Sequence, residues 1–148
     1  MFSTEPSFVG LSEYADNLAN QPVTESYSRI YVEFEVKGGE RPFLGLLDCG
    51  AQYCVLAREV VDEIKDRLTE PLGWRTFQTA FGRARGQLFP YEITLIATEG
   101  EALNVEVIAF ICPDWPGPTY LGYTGVLDRI QWAVHPGVNG FFFGPLVS

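Results

Sequence analysis

Leu103, Val105, Val107, Ala109 and Ile111 fall on alternate positions, and Ile30, Val32, Phe34 and Val36 alternate in the same way with Tyr31, Glu33 and Glu35. A period of two sends successive side chains to opposite faces, which is the signature of a half-buried strand. Turn residues punctuate these runs. Gly38-Gly39 and Glu99-Gly100 turn the chain, and Pro113, Pro116, Gly117 and Pro118 mark a rigid loop. Further strands are expected at residues 43–47, 74–80, 88–97 and 119–121, with a short apolar piece at 55–56. Residues 132–134 and 141–143 are expected to pair as a final hairpin. One substantial helix is expected where Val60, Val61, Ile64 and Leu68 share a face opposite Glu59, Asp62, Glu63, Lys65 and Asp66, with Pro71 and Gly73 ending it. A short helix is expected at 125–130. Many short strands, frequent turns and one main helix predict an all-β fold, a small closed β-barrel.

The chain has 148 residues, enough for one domain with its own core. Residues 1–27 contain acidic residues and no Lys or Arg. Leu11, Tyr14, Ala15 and Leu18 fall at helical spacing there and Ser12 is a candidate cap, so a short amphipathic helix docked on the body is expected. A disordered tail is the alternative. The division is thus an N-terminal extension, 1–27, and a domain, 28–148.

The net charge is −9, which disfavours nucleic acid and anionic membranes as partners and otherwise serves solubility. No segment approaches the ~20 apolar residues of a membrane span. No basic region followed by an apolar stretch opens the chain. Three cysteines, Cys49, Cys54 and Cys112, show no disulfide spacing, which points to a reducing compartment. The expected location is the cytoplasm.

The stretch with most chemical content is Phe43-Leu44-Gly45-Leu46-Leu47-Asp48-Cys49-Gly50-Ala51. An apolar run of this kind reads as a strand buried on both faces, and it ends in a carboxylate. A partly desolvated Asp needs a partner, a proton or a task. Gly50 permits a backbone geometry or a close approach that a Cβ forbids. The plainer reading is an Asp that opens a turn.

These residues resemble the active-site loop of the retropepsin-like aspartic proteases, in which an apolar strand runs into Asp-Thr-Gly-Ala or Asp-Ser-Gly-Ala. Asp48, Gly50 and Ala51 match, and Cys49 stands in place of Thr or Ser. Tyr120-Leu121-Gly122-Tyr123-Thr124-Gly125-Val126-Leu127-Asp128-Arg129 resembles the second family signature, carried by Leu121 and Gly122. The likeness spans residues 30–144 and is nearer the stand-alone prokaryotic members than the viral enzymes. It implies a retropepsin-like barrel, a catalytic Asp48, a peptide or protein substrate and no cofactor.

Aspartic proteolysis uses two carboxylates that share one proton, because adjoining like charges cannot both ionise. Asp114-Trp115-Pro116 and Asp128-Arg129-Ile130 do not match the motif, so the resemblance implies a homodimer with one Asp48 from each copy. The segment from Phe81 to Gly86, with Phe81, Gly82 and Arg83 at its start, is the candidate flap over the site; an ordinary exposed hairpin is the alternative. Arg83 and Arg85 either solvate the turn or favour acidic residues in a substrate.

Cys49 is the departure that matters. The family hydroxyl braces the paired loops across the two-fold, and a thiol is a weaker donor and acceptor. The alternative function is therefore a catalytically weak or inactive peptide-binding or dimerisation module on the same fold. Tyr123 stands where viral members carry an Arg, so an ion pair that braces their dimer is missing. A Cys49–His135 dyad is a remote alternative. No metal site is expected, since the cysteines and the single histidine are scattered.

Overall fold

The computed structural model describes residues 8–15, 29–79 and 81–146. Strands β2 (Tyr31–Val36), β3 (Phe43–Leu47), β4 (Cys54–Val55), β6 (Gly82–Leu95), β8 (Leu103–Ile111) and β9 (Thr119–Leu121) follow one another in the order β2-β3-β9-β4-β8-β6. β6 then pairs back with β2, which closes a six-stranded barrel. Strand β5 (Gly73–Thr79) lies outside this ring, paired only to the first half of β6. A second sheet has the order β10-β11-β1-β7, from β10 (Ile130–His135), β11 (Gly140–Pro145), β1 (Gly10–Glu13) and β7 (Glu99–Gly100). Among the described residues one α-helix, α1 (Arg58–Ile64), completes the fold, which is all-β in class.

Two apolar clusters hold it together. The main one gathers Phe34, Val60, Ile64, Val107, Phe141 and Phe143, each at most 1 % exposed, between barrel, helix and second sheet. The smaller joins Ala84, Leu88, Phe110 and Trp115, with Tyr53, Phe77 and Tyr120 packed against them. It forms the floor under the β5–β6 hairpin. Pro90 is tolerated within β6 because it falls between the part flanked by β5 and the part flanked by β2.

Several expectations are corrected. Residues 10–13 form a strand, not a helix, because β11 offers them a free edge: Leu11 pairs with Phe142 and Ser12 with Phe141. Burial follows a period of two, with Gly10, Ser12 and Tyr14 inside. Gly10 lies so close to Phe143 and Glu101 that a Cβ would come within 2.6 Å of the Phe143 ring. Leu18 lies outside the described residues. The main helix stops at Ile64, tightens into a 3-10 turn at Lys65–Arg67 and is extended by Leu68, well before Pro71. The expected C-terminal helix is a single 3-10 turn, Leu127–Arg129. β3 is not buried on both faces, since Leu44 is 42 % exposed. The final hairpin pairs as expected, Trp132 with Phe143 and Val134 with Phe141.

Candidate active site

β3 carries Asp48 to its position. β3 and β9 run parallel, with Leu47 opposite Leu121, and the Asp48 N–H donates to the Leu121 carbonyl at 3.1 Å. Beyond Asp48 the chain bends: the Ala51 N–H donates to the Asp48 carbonyl at 3.1 Å. The Gly50 N–H donates to Asp48 Oδ1 at 2.9 Å, which fixes the side chain against its own loop. Among the described residues Oδ2 has no donor. Asp48 is half-buried, whereas Cys49 and Gly50 are exposed. Gly50 does not adopt the left-handed region. A Cβ there would lie 3.2 Å from Asp48 Oδ1, so the glycine makes room for the carboxylate.

The second signature backs the first. The Tyr123 N–H donates to the Ala51 carbonyl and the Thr124 N–H to the Gln52 carbonyl, both at 2.8 Å. Gly122 sits directly beneath: a Cβ would meet the Tyr53 oxygen at 2.3 Å and the Ala51 oxygen at 2.7 Å. Asp48, Cys49, Gly50, Ala51, Leu121 and Gly122 therefore form one contiguous block. Asp128 has a local task, accepting the Gly125 N–H at 2.8 Å.

A cleft of about 390 Å³ opens beside Asp48, lined also by Tyr53, Val55, Phe77, Phe110, Trp115 and Tyr120. This volume is of the size that takes a small ligand or a peptide side chain. Asp48 is the one carboxylate lining it among the described residues. Phe77 anchors the β5–β6 hairpin over the cleft, with its ring 5.8 Å from Tyr53 and 5.0 Å from Phe110.

The hairpin tip is shorter than expected. Residues 83–86 are strand residues, with Arg83 opposite Gln78 and Gly86 opposite Arg75. The turn is tightened by Thr79: the Phe81 N–H donates to Thr79 Oγ1 at 3.1 Å, and that hydroxyl donates to the Gly82 carbonyl at 2.6 Å. Gly82 has φ +101°, a conformation that favours glycine. Phe81 meets Trp115 edge-on at 5.2 Å and lines a separate groove of about 860 Å³ rather than the Asp48 cleft. Arg83 is exposed and lines neither cavity.

Two residues escaped sequence reasoning. Tyr120 borders the Asp48 cleft, the Phe81 groove and a third hollow formed with Arg29 and Leu46. Burial pushes its phenol up, and the Asp48 carboxylate adds to this against an opposing pull from Arg29. Trp115 bridges the hairpin and Tyr120, 5.9 Å from the latter, and its indole N–H donates to the Pro118 carbonyl at 2.9 Å. The signal for both was an aromatic beside a signature or a proline loop, which has no meaning until the chain crossings are known.

Other chemistry finds less support. Cys54 is buried, and burial pushes its thiol up to about 12, so it is inert as a nucleophile. His135 ends β10 in the second sheet, whereas Cys49 follows β3 of the barrel. Among the described residues no group of three or more His, Cys, Asp or Glu could hold a metal ion. Among them, too, no helix is long and apolar enough to cross a membrane.

No family model and no curated protein matches this chain. Among solved structures it is similar to a retropepsin-like aspartic protease from Rickettsia conorii, at 15 % identity over 78 % of this chain and 89 % of that one, with a TM-score of 0.47.

Proposed function

We propose that this protein is an aspartic peptidase of the retropepsin type, active as a homodimer in which each copy supplies one Asp48. The observation that carries this reading is the setting of Asp48. Its carboxylate ends a barrel strand at the wall of an apolar cleft, with one oxygen held by the Gly50 N–H and the other without a donor among the described residues. One carboxylate oxygen thus closes the turn with Gly50, and the other is left to bind a water and a proton. Asp-Cys-Gly-Ala and Leu121-Gly122 supply the sequence side of the argument, and their backbone contacts make them one unit.

In this reading the paired Asp48 carboxylates share a proton. The ionised one takes a proton from water as that water attacks the scissile carbonyl, and the protonated one donates to the carbonyl oxygen. The cleft aromatics hold an apolar substrate side chain, and the β5–β6 hairpin covers the peptide. The proposed location is the cytoplasm, where three free thiols are stable.

The test is Asp48→Asn, with peptide cleavage and sedimentation measured on the same preparations. The reading expects a dimer in both proteins and cleavage only in the parent. Cleavage retained by Asp48→Asn, or a strict monomer at high micromolar concentration, overturns it.

A further inference from the structure

We propose that the outer side of the β5–β6 hairpin binds an extended acidic segment of a partner protein, added as a strand beside β5. Strand β5 ends the seven-stranded sheet, and among the described residues nothing pairs with its far flank. Open edges are usually blunted by brevity, lysine, proline or a covering segment. β5 runs for seven residues with neither Pro nor Lys. Leu72 and Trp74 beside this edge are 57 % and 53 % exposed.

The charge on this hairpin runs against the rest of the molecule. The chain carries −9, yet residues 71–91 hold three arginines and no Asp or Glu. Among the described residues Arg75, Arg83 and Arg85 have no carboxylate partner, and the single ion pair joins Arg41 to Glu63. Cross-strand register puts Arg85 opposite Thr76 and Arg83 opposite Gln78, on the face turned away from Phe77 and the cleft. Arg85 lies 4.2 Å over the Trp74 ring, which holds its cation beside the open edge.

Backbone N–H and C=O groups on the free flank of β5 supply strand pairing, and Arg83 and Arg85, on β6 one strand in from the edge, favour carboxylates on the same face of the incoming strand. A second copy of the same hairpin is a poor occupant, because antiparallel pairing of two such edges would join two arginine-bearing hairpins with no Asp or Glu between residues 71 and 91 to offset them. Because Arg83 and Arg85 face away from the cleft, this surface does not depend on the reading of Asp48.

The experiment uses the full chain and a fluorescein-labelled peptide alternating Glu with Val and Thr, beside its Lys-for-Glu counterpart. Anisotropy is expected to report binding of the Glu peptide only, weakening as salt rises. Arg83→Glu/Arg85→Glu should weaken it roughly tenfold, and Arg83→Gln/Arg85→Gln by less. Far-UV dichroism checks that both variants remain folded. Hydrogen exchange should show new protection in residues 73–79 of the complex. Equal binding of both peptides, or binding unchanged in the Glu variant, overturns the proposal. So does protection confined to residues 48–53, which would put the peptide in the cleft. If the Glu variant instead dissociates an oligomer of the parent, the occupant is a second copy and the proposal fails.

Discussion

Gly122→Ala probes the support under Asp48 most directly. The new Cβ would lie 2.3 Å from the Tyr53 oxygen and 2.7 Å from the Ala51 oxygen, where ordinary contact begins at 3.4 Å. Both obstacles are backbone, so neither can rotate away. The loop from Ala51 to Tyr53 has to lift by about 1 Å, the shortfall between 3.4 and 2.3 Å. Lifting it breaks or stretches the bonds from Tyr123 to Ala51 and from Thr124 to Gln52. Overpacking costs about 1–3 kcal/mol and the two backbone bonds about 1 kcal/mol each, so a total of about 3–5 kcal/mol follows. At a urea dependence of about 2 kcal/mol per molar, the unfolding midpoint should fall by about 1.5–2.5 M. Hydrogen exchange in residues 48–53 should rise with it. Gly82→Ala is the comparison. Its Cβ meets nothing within 4 Å, but φ is +101°, so only backbone strain of about 1–3 kcal/mol acts and the Asp48 loop stays protected. A Gly122→Ala midpoint equal to the parent's would refute the steric account. Loss of protection at residues 48–53 in Gly82→Ala would show that the loop does not depend on Gly122 in particular.

Three further outcomes are expected. The Cys54 thiol, raised from 9.0 to about 12, keeps its proton in the folded chain while the unfolded chain releases it above pH 9. Stability that is fully present below pH 9 should therefore fall by about 1.4 kcal/mol per pH unit toward pH 12, and Cys54→Ala should remove that contribution from the alkaline limb; identical slopes in denaturant titrations count against it. Phe81→Ala removes the edge contact with Trp115, so hydrogen exchange at residues 77–84 should speed up while the barrel strands stay protected; unchanged exchange means the tip is held by Thr79 alone. Under the proposed function, Cys49→Thr supplies the hydroxyl that retropepsin-like proteases carry at this point of the motif, and sedimentation should show tighter association together with faster peptide cleavage, whereas tighter association without cleavage favours a binding module over an enzyme.

The barrel was legible where a strand has one wet face. β2 from Val32 onward and the first half of β8 alternate, so their periods could be counted, whereas Tyr31 and Phe110 are buried out of that period. The Asp48 block was legible because its residues are close in sequence or form short signatures, and its contacts are backbone contacts that Gly50 and Gly122 permit. What sequence could not supply was pairing at a distance. Leu11 is placed by β11, more than a hundred residues later, and no local spacing announces that edge. Arg83 reads as a loop residue until the register with Gln78 is known. Tyr120 and Trp115 become cleft residues only when the 113–118 loop folds against the hairpin.

Strand β6 ties two distant regions mechanically. Its first half carries the hairpin over the cleft, and its last three residues close the barrel against β2. A hairpin carried by such a strand is an arm on a fixed post. Any flexing of that arm falls where the strand has a β-neighbour on one flank only, around Pro90, with β8 as the backing rail. The loads on that arm are the Phe77 and Phe81 rings at its inner side and tip, and whatever pairs with β5 on its outer side. A strand added to β5 would stiffen the arm, so a partner bound far from Asp48 would set how readily the cleft is uncovered.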